Sequence, residues 1–137
     1  MSKMGFDKTI GRFEKIRYEL PKIIANDSVR FFLDGFNKEG FTDTAFKAWK
    51  PRKGKQSGRN ETRKILVDSG ALRRSVSNSV KVATWDLIKF QVELPYAKYI
   101  QEGTDKMPAR KFMGLSLKLM KENQIKIRQV IDKIWRG

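Results

Sequence analysis

The sequence predicts an α+β fold: N-terminal helices and a long C-terminal helix packed on one face of a small antiparallel sheet, with a long basic loop. Three observations predict it. Apolar residues recur at steps of three and four over residues 6–38 and again from Met113 to Trp135, the period of a helix with one buried face. Two central runs, Val80 to Thr84 and Leu87 to Leu94, alternate apolar and polar residues, the period of a strand. Between these regions, residues 40–64 lose apolar periodicity and gather positive charge.

The chain has 137 residues. That length lies in the commonest range for one domain, about 100–150 residues. One domain over 1–137 is expected, with residues 40–64 as a basic flexible loop.

Phe6, Ile10, Phe13, Ile16 and Leu20 set the first helical stripe, with Tyr18 off it. Asp7 or Thr9 is a candidate start. Pro21 either kinks this helix or opens a new one, because proline is tolerated in a first turn. From Lys22 the stripe resumes through Ile24, Ser28, Phe31, Phe32 and Phe36. Residues 22–38 form the stronger helical segment. The cluster Phe31, Phe32, Phe36 and Phe41 is expected to pack onto the sheet rather than serve as a binding strip.

The loop carries Lys47, Lys50, Arg52, Lys53, Lys55, Arg59, Arg63 and Lys64 against Glu61 alone, a net charge of +7 between residues 47 and 64. A connection beyond about 12–15 residues is usually functional or disordered. Lys50, Arg52, Lys53, Lys55, Arg59, Arg63 and Lys64 are candidate contacts to DNA or to a neighbouring subunit. A solvated loop, or one that orders only on assembly, fits the same composition.

Ile65-Leu66-Val67 precedes Asp68 and Ser69, both good N-cap residues, and a short helix from Gly70 to about Val76. Ala71, Leu72 and Val76 should face inward, with Arg73 and Arg74 outward. Asn78-Ser79 ends it. In the hairpin that follows, Val80, Val82, Ile88, Phe90, Val92 and Leu94 form the inner face. The polar outer face predicts a sheet covered on one side only. Pro95 closes the second strand. Tyr96, Ala97, Ile100 and Gln101 suggest one helical turn capped by Gly103. Residues 107–113 then run extended. The last helix carries Met113, Leu117, Met120, Gln124, Ile127, Ile131 and Ile134 on one stripe, broadened by Leu115, Leu119, Val130 and Trp135. Packing onto the sheet is its expected role.

Thirty Lys and Arg stand against fifteen Asp and Glu, a formal net charge of +15. Such an excess favours contact with polyanions, nucleic acid above all, although a merely solvated basic surface gives the same count. Cysteine and histidine are absent. That excludes disulfides, thiolate metal sites, Ser-His and Cys-His pairs, and the commonest proton shuttle. No catalytic, cofactor-binding or metal site is expected. Arg73, Arg74 and Arg110 are the only candidates for histidine-free RNA cleavage. No apolar run approaches the roughly 20 residues of a membrane span, and residues 1–6 lack the apolar stretch of a signal peptide. Synthesis in a reducing cytoplasm, with no membrane partner, is the expectation.

Four segments occur in a fixed order. They are Trp49-Lys50-Pro51; Ile65-Leu66-Val67-Asp68-Ser69-Gly70-Ala71-Leu72-Arg73-Arg74-Ser75-Val76; Tyr96-Ala97-Lys98-Tyr99-Ile100-Gln101-Glu102-Gly103; and Pro108-Ala109-Arg110-Lys111-Phe112-Met113-Gly114. Over roughly residues 20–120 the chain resembles the phage virion morphogenesis family, with its Mu-type morphogenesis and tail completion proteins, and the wider head-tail joining group. Members typically carry W-x-P, I-L-x-[DST]-G-x-L-x-x-S, Y-A-x-I-H-Q-x-G and P-A-R-P-F-L-G. This chain departs in having no histidine before Gln101, and in Lys111 and Met113 within the last motif. The motif positions are Trp49, Pro51, Ser69, Gly70, Leu72, Ser75, Tyr96, Ala97, Gln101, Gly103, Pro108, Arg110 and Phe112. The resemblance implies a non-enzymatic structural protein of the neck or tail terminus, acting in tail completion or head-tail joining. It would be made in a bacterial host and reside in the virion. Its partners would be other phage neck and tail proteins, a homo-oligomeric ring of hexamer-like size formed on assembly, and packaged DNA by non-specific contact. The alternative is a basic DNA- or RNA-binding domain without catalytic activity.

Overall fold

The structure is a computed structural model and describes residues 3–52, 65–66 and 70–137. Its frame is one helix, α1 (Lys3–Lys38), against which α4, α2, β1 and β3 pack. The other elements are β1 (Gly40–Thr42), β2 (Phe46–Ala48), α2 (Ala71–Ser77), β3 (Val80–Ala83), β4 (Ile88–Phe90), α3 (Ala97–Glu102) and α4 (Leu117–Arg136). The fold is α+β, as the periodicities predict.

Of the two outcomes open at Pro21, a second helix does not begin there; one helix runs through both predicted segments. The reason lies in the phase of the stripe. Ile16, Leu20, Ile24, Ser28, Phe32 and Phe36 step by four across Pro21, and all are buried. A break at Pro21 would put the two halves of that stripe out of register. Proline inside a helix costs about 3 kcal/mol. Burying a large apolar side chain contributes roughly 1.5–3 kcal/mol each, so one continuous stripe outweighs the missing N–H. Ser28 is accommodated because its hydroxyl donates to the Ile24 carbonyl at 2.8 Å. The first turns differ from expectation. Phe6, Ile10 and Phe13 are exposed, because α1 runs on past the elements that bury Ile16 and Leu20.

The sheet is also divided. β1 pairs antiparallel with β2, with Phe41 opposite Lys47. β3 pairs antiparallel with β4, with Val80 opposite Phe90 and an irregularity between Val80 and Val82. Residues 40–48 were expected as loop and form the first of these hairpins. Gly35 permits it: a Cβ there would lie 2.7 Å from the Gly40 carbonyl oxygen, so only glycine lets the strand lie on the last helical turns. Glu39 takes a positive φ of 57° and ends α1, and its carbonyl accepts from the Trp49 N–H at 2.8 Å. The rest of the expected loop, 53–64, lies outside the described residues.

The second hairpin appears where alternation places it, closed by reciprocal Thr84–Leu87 backbone bonds around Trp85-Asp86. Its second strand is shorter than the predicted Leu87–Leu94 and ends at Phe90. Val92 and Leu94 still pack against the core without a partner strand. The helix at 70–76 forms as Ala71–Ser77, with Leu72 and Val76 buried. Gly70, at φ 76°, is its N-cap, whereas Asp68 and Ser69 lie outside the described residues.

Two apolar clusters result. The larger joins Phe32, Phe36, Phe41, Trp49, Ile65, Leu72, Val76, Ala97, Phe112 and Leu119. The aromatics pack edge-on: Phe32 against Phe90 of β4 at 5.7 Å, and Phe31 against Phe41 at 6.2 Å. The smaller cluster binds α1 to α4 through Ile16, Leu20, Ile24 and Val130, with Ile88, Ile127, Ile131 and Ile134 at its edge. The inward face of α4 is therefore shifted from the predicted stripe. Leu117 and Met120 are exposed, while Leu119 and Val130 are buried. Its main neighbour is α1 rather than a sheet.

Candidate functional site

Residues of three of the four motif segments converge on one corner. Three short segments build it: residues 49–52 after β2, the helix α3, and residues 108–116 leading into α4.

Trp49 is buried, and its ring stands edge-on to Phe36 at 5.4 Å. Phe112 reaches Phe36 at 6.1 Å. Phe36 thus forms ring contacts with two motif aromatics that are far apart in sequence. The indole Nε1–H donates to the Lys111 carbonyl at 2.8 Å, which satisfies the one polar atom that a buried tryptophan carries.

Gln101 is the central polar residue. Its Oε1 accepts from the N–H groups of Phe112 (3.1 Å) and Met113 (3.3 Å), and its Nε2 donates to the Met113 carbonyl. A single side-chain amide therefore acts as the pairing partner for an extended backbone segment, much as a neighbouring strand would. The backbone adds the Arg110 N–H to the Ile100 carbonyl at 2.8 Å.

Arg110 points to the other segment. Its Nε and Nη2 donate to the Lys50 carbonyl at 3.0 and 2.9 Å, and Nη2 also donates to the Pro51 carbonyl at 3.3 Å. Partial burial, then the nearby charge of Arg52, hold its pKa below the ordinary guanidinium value. Three contacts to backbone oxygens hold the guanidinium.

Gly103 ends α3 at φ 80°. A Cβ there would lie 2.7 Å from the Ala109 N and 3.1 Å from the Met107 O, so neither conformation nor space admits a side chain. Thr104 and Met107 bridge to close the turn. Ala97 is buried in the large cluster, Tyr96 is an exposed N-cap, and Pro108 is half-buried. Leu72 joins the same cluster from α2, next in sequence to Ala71, while Ser75 is half-buried on that helix.

Sequence reasoning missed the cap of α4. Ser116 accepts from the Leu119 N–H at 3.2 Å and donates to the Thr42 carbonyl at 2.6 Å. Asp43, in the β1–β2 turn, accepts the Leu117 N–H on its Oδ1 at 2.9 Å, and its carbonyl accepts from the Lys118 N–H at 3.0 Å. Three of the four unpartnered N–H groups of a helix start are thereby satisfied. Ser116 before an apolar period was the visible signal; Asp43 had none.

Among the predicted contact residues, Lys50 is exposed and Arg52 half-buried beside this corner. Lys53, Lys55, Arg59, Arg63 and Lys64 lie outside the described residues. Of the three arginines considered for RNA cleavage, Arg73 donates to the Asn37 Oδ1 at 2.9 Å and Arg110 donates to backbone carbonyls. Among the described residues, no group of three or more carboxylates is placed to hold a metal ion, and no helix is long and apolar enough to cross a membrane.

No family model, curated protein or solved structure matches this chain.

Proposed function

We propose that the chain is a structural protein of a phage neck or tail terminus, acting in tail completion or head-tail joining. The observation that carries this reading is the convergence of three motifs, far apart in sequence, on one locked corner. Trp49, Gln101 and Arg110 direct their side-chain polar groups to backbone partners, and Trp49 and Phe112 both set their rings against Phe36. Such residues build a rigid joint rather than a reaction centre. Other support comes from the leading turns of α1. Phe6, Ile10 and Phe13 share an exposed face, and Phe13 meets the exposed ring of Trp85 at 6.5 Å. Apolar rows of this kind suit contacts with neighbouring subunits. Ring formation on assembly and docking to neck or tail proteins belong to the same proposal, with the virion as the location.

The test is deletion of the reading frame from its parent phage, with electron microscopy of the lysate. Filled heads beside separate tails, or tails of uncontrolled length, are the expected result. Normal infectious particles would overturn the proposal.

A further inference from the structure

We propose that the groove between α1 and α4 binds the phosphodiester backbone of duplex nucleic acid, with Lys8, Arg12, Lys15 and Arg30 on one wall and Lys126 and Lys133 on the other. This assigns polyanion contact to a surface other than the 50–64 segment. It does not depend on the virion reading, because it is tested on the purified chain.

Composition cannot show this surface, since its cations are up to 125 positions apart in sequence. The fold assembles them. Lys8, Arg12 and Lys15 step by four and three, so they share one face of α1. They sit two residues on from Phe6, Ile10 and Phe13, which at 3.6 residues per turn is about 200° around the helix. The leading half of α1 thus carries an apolar face on one side and a cationic face on the other. Lys126 and Lys133 lie two turns apart on α4 and line the same groove. Beneath them, Ile16, Leu20, Ile24 and Val130 fix one helix against the other, so the two walls are held in place.

The charge is only partly compensated. Among the described residues, Glu19 and Asp27 are the only acidic side chains lining the groove, against six cations. Among the described residues the ion pairs are Lys38–Asp34 and Lys81–Glu93, neither of them made by these six. Like charges facing each other across a groove oppose the packing of α1 on α4, and a bound polyanion would relieve that repulsion.

Shape and lining choose the ligand. The groove is open to solvent and offers about 1150 Å³. That exceeds the roughly 300–1,000 Å³ typical of small-molecule pockets. The groove wall that α1 forms from Lys8 to Arg30 runs about 33 Å at 1.5 Å per residue, close to the roughly 34 Å of one duplex turn, with Lys8, Arg12 and Lys15 at one end, Arg30 at the other, and Glu19 and Asp27 between them. Among the described residues no aromatic side chain lines the groove, and a stacking platform of the kind that single-strand binders use is absent from them. Recognition through phosphate alone should be independent of sequence.

The experiment is fluorescence anisotropy of a labelled DNA duplex of roughly 20 base pairs, two helical turns, titrated over a range of salt. Wild type is compared with the triple variant Lys8→Gln/Lys15→Gln/Lys133→Gln and with a charge-matched control, Lys89→Gln/Lys98→Gln/Lys106→Gln. All six positions are exposed, and circular dichroism verifies that each variant keeps its fold. The expected result is salt-sensitive binding by wild type, with the slope of log K against log salt falling by about 3 in the groove variant, one unit per lost phosphate contact, and by less than about 1 in the control. Equal losses in the two variants would reduce the effect to net charge and overturn the proposal. So would an unchanged groove variant, or wild type that fails to bind at low salt. A single-stranded oligothymidine that competes better than the duplex would overturn the choice of duplex.

Discussion

Gln101 is a sharp test of how one side chain can define a chain direction. Its amide makes three hydrogen bonds to the backbone at residues 112 and 113. Gln101→Ala leaves those groups without the partner that fixes the corner. Each lost bond costs about 0.5–1.5 kcal/mol net, so urea denaturation should give a loss of roughly 1.5–4 kcal/mol. Arg110→Lys tests geometry instead of charge. Lysine keeps the cation but cannot place two N–H groups on the Lys50 carbonyl while reaching Pro51. A loss of about 1–2 kcal/mol is expected. Retention of full stability by this variant would mean that charge alone holds the joint. Because burial lowers the folded-state pKa of Arg110 below the ordinary guanidinium value, its burial opposes folding while the cation persists. The carbonyl contacts offset this across the neutral range, so no pH-dependent loss from this group is expected near neutrality.

Pro21 and the α4 cap belong to the scale of the element. Pro21→Ala restores an N–H to α1 and removes a ring-imposed clash, a gain of up to about 3 kcal/mol, less roughly 1 kcal/mol for the buried ring carbons that are lost. A rise in thermal midpoint is the expected outcome. A fall would show that the ring packs better than the helix tolerates its absence. At the other end, Asp43→Ala removes a carboxylate from the start of α4, where both its hydrogen bond and its charge are favourable. The expected cost is about 1–2 kcal/mol, with hydrogen exchange fastest in the first turn of α4 and in the β1–β2 turn, since each holds the other.

A formal +15 on 137 residues is a property of the whole molecule. Like charges repel more strongly in the compact state than in the extended one. Added salt screens them, with a Debye length falling from about 30 Å at 0.01 M to about 8 Å at 0.15 M. The thermal midpoint should therefore rise over that range, and a fall would show that attractive pairs dominate. The long helix α1 carries this architecture: it meets α4, α2 and a strand of each hairpin. The burial of Phe36 at its far end ties Trp49 and Phe112 to that frame.

The sequence by itself determined what neighbours along the chain can encode. The α+β class, the Val80–Phe90 hairpin, the α2 helix with Leu72 and Val76 inward, the glycine cap at Gly103 and the excess of positive charge were all legible. Each rests on a period, a cap residue or a count within a few positions. The tertiary structure decided the rest. It joined the halves of α1 through Pro21, because the buried stripe stays in phase across the proline. It turned residues 40–48 into a hairpin and rotated the inward face of α4 toward α1. It set Trp49 on Lys111, 62 residues away, and Asp43 on the start of α4, 74 residues away. Motif residues could be named in advance, but not that they meet. Periodicity records which face of an element is buried, whereas which elements face each other depends on packing across long sequence separation.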